Sequence, residues 1–345
     1  FMLGLLLPAC ARDRTGGNPT QRLVRFTACA PLREAVTEDW PAVLSGDIRT
    51  HDPSMIREGN AYYVFSTGDE RGLNDGTIQI RRSDDRAYWQ LAGTVFDTLP
   101  DWIAQELGAQ PPNLWAPDVC YFNGAYHVYY AGSTFGSNAS VIGLATNTTL
   151  DVRDPRYKWV DRGMVVRSER TDNWNAIDPD LVWDADGVPW LVFGSFWDGI
   201  KMRRIDVKTG LLDAADTTLY SLASRGGGAI EAPSIVYHDG MYYLFVSFDN
   251  CCRGVQSTYR IMVGRSERIT GPYADRDGVA LANGGGTELL AGDDRLVGPG
   301  GQDVLVDGSR DMLVYHAYKR ALNGMPQLQV RPIVWENGWP SVGTS

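Results

Sequence analysis

Five stretches of this chain repeat one order of polar and apolar positions. Each has a short polar step ending mostly in Pro, an apolar strand, a turn containing Gly, and an aromatic strand. They read HDPSMIREGNAYYVFST from His51, WAPDVCYFNGAYHVYYAGS from Trp115 and IDPDLVWDADGVPWLVFGSF from Ile177, then EAPSIVYHDGMYYLFVSF from Glu231 and GGQDVLVDGSRDMLVYHAY from Gly300. The equivalent third positions are Pro53, Pro117, Pro179, Pro233 and Gln302, separated by 64, 62, 54 and 69 residues. That spacing is room for one four-stranded sheet and a loop. Asn123-Gly124, Asp186-Gly187, Asp239-Gly240 and Asp307-Gly308 supply turn residues that accept positive φ, and the Tyr, Val, Phe and Trp after them favour strands. Helical signal is confined to residues 100–108, enough for one short turn or helix in a loop. Many short strands at this period predict an all-β chain folded as a five-bladed β-propeller. A two-sheet sandwich has no need of one motif five times over.

The same period locates candidate chemistry. If each repeat opens with the innermost strand, the residues just before its Pro line one end of the central channel. Those residues are Asp52, Ala116, Asp178, Glu231 with Ala232, and Gly301. Three of five blades then aim a carboxylate at one small space. Like charges held close together resist joint ionisation, so their pKa values spread. Glycoside hydrolysis requires that spread, with one protonated acid for the leaving oxygen and one ionised base for a water. Turn capping by Asp accounts for Asp52 and Asp178. It does not account for Glu231, whose side chain is too long for that role.

The strings HDPS, NAIDPDL and EAPSI, in this order on successive repeats, resemble the three signatures of glycoside hydrolase family 43. Further strings, NLWAPD, FGSFWDGI, SFDNCCRG, STYRIMVGRS and LANGGGT, resemble its endo-α-1,5-L-arabinanase branch, and the likeness covers residues 47–343. The resemblance implies an inverting hydrolase of arabinan or arabino-oligosaccharides that needs no cofactor for its chemistry. Asp52 is then the general base, Asp178 the residue that tunes pKa, and Glu231 the general acid. Trp115, one place before the second Ala-Pro, is expected to stack on a sugar. Asn175 and Ser195 are candidates for bonding sugar hydroxyls, and Phe135 and Trp197 for outer subsites. Two rival functions stay open: an exo-acting α-L-arabinofuranosidase or β-xylosidase of the same family, and a carbohydrate-binding propeller without catalysis. Family members commonly carry Gly-x-Gly-His in the fifth repeat, whose His helps hold a calcium ion through waters. Here Gly301 stands where that His is expected, which leaves Gln302, Asp303 and His316 as candidate ligands. His316 is read first as a satisfied core histidine.

Composition narrows the partners. The chain has 345 residues, a net charge of −10 and an estimated pI of 4.9, which argues against a nucleic-acid partner. Eleven Trp and sixteen Tyr exceed what sheet cores require and suit the apolar faces of sugar rings. Near the start, an apolar run followed by Leu7-Pro8-Ala9-Cys10 resembles a partial bacterial lipoprotein signal. Cys10 is then a candidate lipid anchor, residues 1–20 a signal and linker, and residues 21–345 a single catalytic propeller. Export from a bacterial cell is expected, to the periplasm, the cell surface or the medium, with the protein a monomer. No later segment has 18 uninterrupted apolar residues. Cysteine spacing offers no zinc site. The adjacent Cys251 and Cys252 are either two small buried thiols, the preferred reading, or a vicinal disulfide.

Overall fold

A computed structural model of the protein describes residues 40–69, 73–308 and 310–343. Cys10, Cys29 and the expected signal and linker lie outside the described residues. Five antiparallel sheets follow one another along the chain, each a meander of four consecutive strands. A two-residue strand, Ser45–Gly46, runs parallel to the outer edge of the first. The inner strands are Ser54–Glu58, Trp115–Phe122, Asp180–Trp183, Ile230–His238 and Leu296–Asp307. Each touches the next in order, and the last touches the first, so the sheets close into a five-bladed propeller. The turns form as their residues require. Asn123 (φ 50°) and Gly124 (φ 77°) are both left-handed, as a tight two-residue hairpin turn demands.

Blades stack face to face, which explains why strands such as Ala61–Ser66 are buried at every position. The apolar core is accordingly divided into five clusters, one between each pair of neighbouring blades. Blade one packs on blade two through Ile56, Tyr63, Phe65 and Tyr130, and on blade five through Met55, Val64, Leu305 and Val314. The one α-helix among the described residues, Asp101–Leu107, lies inside the predicted loop and ends at left-handed Gly108 (φ 77°). Among the described residues no helix is long and apolar enough to cross a membrane.

Side chains stitch the inner strands together around the axis. Asp118, Asp180 and Asp303 each accept the backbone N–H of the next blade, from Leu181 (2.8 Å), Ile235 (3.0 Å) and Met55 (2.9 Å). Blade five is tied to blade one further out by Arg57 with Asp307 (3.2 Å) and by the Ile48 carbonyl, which accepts the Leu328 N–H (2.7 Å). The three aspartates converge within the channel. Burial, reinforced by the charge of Asp303, pushes Asp118 up from 3.8 to about 7, and Asp180 and Asp303 are also raised. An acid raised on folding contributes stability that is full below its unfolded pKa and lost as pH rises through the folded value. The fold therefore weakens between about pH 4 and 7 from this source. Asp118→Asn keeps the acceptor for Leu181 without a charge, so it should raise Tm at pH 8 by about 2–4 °C and change little at pH 4, as read by thermal melts.

Candidate active site

The residues that open the five repeats share one unusual conformation. Asp52 (φ 49°), Ala116 (φ 41°), Asp178 (φ 56°), Ala232 (φ 51°) and Gly301 (φ 55°) are all left-handed. Four of these are not glycine, and each such residue costs about 1–2 kcal/mol. Strain repeated at equivalent places around one end of a channel marks a site built for function. Asp52 and Asp178 are turned into a cleft of 1090 Å³ at that end, and Glu231, beside left-handed Ala232, joins them. Trp115, Phe135, Asn175, Ser195 and Trp197 line the same cleft. The structure thus brings all eight predicted residues together.

The three carboxylates are not equivalent electrically. Burial tends to raise Asp52, but its neighbours outweigh that and hold it down at about 2. The strongest is His51, whose Nδ1 lies 2.7 Å from Asp52 Oδ2. Thr67 Oγ1 donates to the same oxygen at 2.7 Å. Glu231 is pushed the other way, chiefly by burial, with the Asp52 charge adding to it. Ser195 donates to its Oε2 at 2.7 Å and Tyr259 to its Oε1, which moderates the rise. Asp178 is raised well above 3.8 by burial and by the charges of Glu231 and Asp52. The cleft therefore holds one carboxylate kept ionised and two that resist ionisation. Asp52 keeps 20% side-chain exposure, enough to meet a water from the cleft.

The flanking residues differ in what they are free to do. Trp115 and Phe135 form a tilted pair 5.1 Å apart, and Phe135 is 74% exposed, so it covers no core and offers a ring face to the cleft. Phe196 (φ 49°) and Trp197 (φ 38°), which also line the cleft, are two consecutive left-handed residues. Ser195 and Asn175 already have partners. Ser195 bonds Glu231, and Asn175 Oδ1 accepts from Ser140 (2.6 Å). Ser195 thus holds Glu231 in place before any sugar arrives, and Asn175 is itself held by Ser140.

The expected metal candidates separate. Gln302 bridges blades, accepting from Ser247 (2.8 Å) and donating to the Ala232 carbonyl (2.5 Å). Asp303 points to the deeper aspartate cluster. His316 is fully buried, yet it is not a satisfied core histidine. Its Nδ1 accepts the Asp52 N–H (3.1 Å), its ring stacks on His51 (3.8 Å between centroids), and its Nε2 has no partner. Gly301 leaves no space for any side chain, because a Cβ there meets Asp52 Oδ1 at 2.4 Å and His316 at 2.8 Å. The imidazole at this spot comes from the neighbouring strand, Arg310–Lys319, instead. Cys251 and Cys252 are disulfide-bonded at the cleft edge, half-buried and exposed respectively. The plain-thiol reading fails because it assumed burial that this loop does not provide.

The pattern of glycosyl hydrolases family 43 matches residues 43–340. This chain belongs to glycoside hydrolase family 43. Its family 43 relatives include extracellular endo-α-(1→5)-L-arabinanase 1 of Bacillus subtilis (strain 168), 46% identical over 92% of this chain and 93% of that protein. A GH43 endo-arabinanase from Bacillus licheniformis has a solved structure that superposes with a TM-score of 0.81 at 47% identity, covering 88% of this chain and all of that one. The extracellular exo-α-(1→5)-L-arabinofuranosidase ArbA of Cellvibrio japonicus (strain Ueda107) is 38% identical over 86% of each chain. As a family 43 member the chain is a glycosidase. Sequence reasoning missed three groups of this family 43 site: His51, Tyr259 and Tyr318. His51 and Tyr259 sit inside the quoted strings HDPS and STYRIMVGRS, so the strings held the signal without saying which atoms meet.

Proposed function

We propose that this glycosidase cleaves internal α-1,5-L-arabinofuranosidic linkages of arabinan with inversion, using Asp52 as general base and Glu231 as general acid. The observation that carries the reading is the opposite displacement of these two carboxylates within one cleft. Asp52 is ionised and can take a proton from a water, while Glu231 retains one to deliver to the leaving oxygen. Asp178, itself reluctant to ionise, accepts the Ala232 N–H (3.0 Å) and stands beside the acid, where any negative charge it acquires raises Glu231 further. Inversion requires the attacking water and the leaving group on opposite faces of the sugar, one carboxyl group serving each. Exposed Phe135 with Trp115, and Trp197 elsewhere in the cleft lining, supply apolar faces for neighbouring arabinose units.

Internal cleavage is favoured by the lining of the cleft, to which the connection 97–112 between the first two blades contributes no residue and the loop 221–228 contributes only Gly227. Two relatives above 45% identity are also named endo-arabinanases. Exo action is the second reading, favoured by the relative named as an exo-acting enzyme. Debranched arabinan decides between them. Endo action gives a rapid fall in viscosity with short oligosaccharides, and exo action gives arabinose or one short product with viscosity nearly unchanged. No release of reducing sugar would sink both. Export is part of the proposal, since both curated relatives carry the word extracellular.

We place a calcium ion beside His316. The unpartnered, buried Nε2 of His316 points to a ligand, and a hard cation completes its oxygen shell with water. To serve, the ring must move its proton to Nδ1, which gives up the Asp52 N–H bond that Nδ1 accepts at 3.1 Å and turns the proton toward Asp52 Oδ1 at 3.6 Å. Such a cation supplies positive charge that favours ionised Asp52. One calcium per chain by elemental analysis, lost on chelation together with several degrees of Tm, is the expected result, and His316→Ala should abolish that binding.

A further inference from the structure

Behind Asp52 a line of contacts runs outward through His51 and Tyr318 to the disulfide loop. Asp52 Oδ2 lies 2.7 Å from His51 Nδ1, and His51 Nε2 lies 2.7 Å from Tyr318 Oη. That hydroxyl accepts the backbone N–H of Cys252 at 2.8 Å, and Cys252 Sγ is 3.7 Å from His51 Nε2. Positions 52, 252 and 318 are far apart in sequence, and the chain of contacts joins blades one, four and five beside the cleft.

The disulfide joins neighbouring residues whose Cα atoms are 3.8 Å apart. It closes no long loop, so the usual stabilisation by restricting the unfolded chain is absent. What it restricts is the peptide between the two cysteines, which becomes part of a small ring. Cys252 sits at φ 66°, a region that residues other than glycine rarely adopt. In that conformation its N–H points at Tyr318. Cys252 is exposed and both cysteines line the cleft, within reach of a solution reagent.

We propose that the Cys251–Cys252 disulfide and Tyr318 are positioning groups for the general base, fixing His51 and through it the Asp52 carboxylate. The inference rests on the reading of Asp52 as base. A dithiol reductant donates two electrons and two protons. The S–S bond breaks, two cysteine thiols form, and the reductant leaves as its own disulfide. Freed of the ring, Cys252 relaxes from its left-handed φ, its N–H leaves Tyr318, and the hydroxyl that orients His51 loses the bond that fixes it. Small displacements of a catalytic group carry large kinetic effects.

The test measures kcat and KM on debranched arabinan before and after dithiothreitol, with thiols counted and melting followed alongside. Reduction is expected to lower kcat about tenfold with KM within about twofold, and reoxidation to restore it. Cys251→Ser/Cys252→Ser should show the lowered kcat without reductant and no further response to it. That control matters because Cys120 is also disulfide-bonded, and a response in the double variant would assign the effect there and overturn the inference. Tyr318→Phe should lower kcat to a similar level, with reduction adding little, as expected for groups acting in one line. An unchanged kcat after verified reduction overturns the inference, and so does a rise in KM alone or a full multiplication of the two effects. Asp52→Asn runs in parallel. If it retains activity the base assignment has failed, whereas an inactive Asp52→Asn with a silent disulfide removes only the positioning role.

Discussion

Glu231→Gln should lower kcat on arabinan by about 10³-fold while leaving the melting temperature nearly unchanged. Gln keeps the size of the side chain, accepting at its one amide oxygen from either Ser195 or Tyr259 and donating from its NH2 to the hydroxyl oxygen of the other. It cannot release a proton to the leaving oxygen. The loss should shrink on an aryl arabino-oligoside with a strongly acidic leaving group, which departs without protonation. Asp52→Asn should be equally inactive on both substrates, because the water still needs a base. The alkaline limb of the pH profile, set in the native enzyme by the raised Glu231, should vanish in Glu231→Gln. Equal losses on both substrates in both variants would leave the roles of acid and base unassigned, and native rates would remove them.

Gly301→Ala should cost about 10²-fold in kcat and several degrees of Tm, the second largest effect expected. Two penalties act at this position. The left-handed φ of 55° disfavours any residue with a Cβ, at about 1 kcal/mol. The new methyl also meets Asp52 Oδ1 at 2.4 Å and His316 at 2.8 Å, so Asp52 or His316 must move. Gly240→Ala separates the two. Gly240 is also left-handed, at φ 86°, but nothing lies within 4 Å of its added Cβ. That variant should lose about 1 kcal/mol of stability and no activity. If both variants behave alike in kinetic assays, the close approach at Gly301 has no bearing on catalysis.

The behaviour of Gly301 shows where reading the sequence stopped short. Counting along the repeat places Gly301 at the axis correctly, but it also suggests a missing histidine. The ring is present, delivered by His316 from the next strand, and register within a sheet is a tertiary fact. Ser195 illustrates the same limit. Its place beside the cleft follows from the repeat, but its hydroxyl bonds Glu231, and no local pattern states that. The vicinal cysteines were visible as a pair, while their oxidation and exposure depended on how the loop after Met241–Phe248 is presented.

The sequence by itself determined the number of blades, the turns between strands and the three carboxylates at one pole. Those features arise from short-range rules, alternation of apolar residues, turn residues that accept positive φ, and a motif recurring once per blade. Only the tertiary structure decided which carboxylate is ionised and which is not. Desolvation and charge depend on distances between residues tens to hundreds of positions apart, such as His51 with Tyr318 and Glu231 with Tyr259. His51 meets Tyr318 only when the fifth blade packs on the first, and Glu231 meets Tyr259 only when the strands of the fourth blade pair.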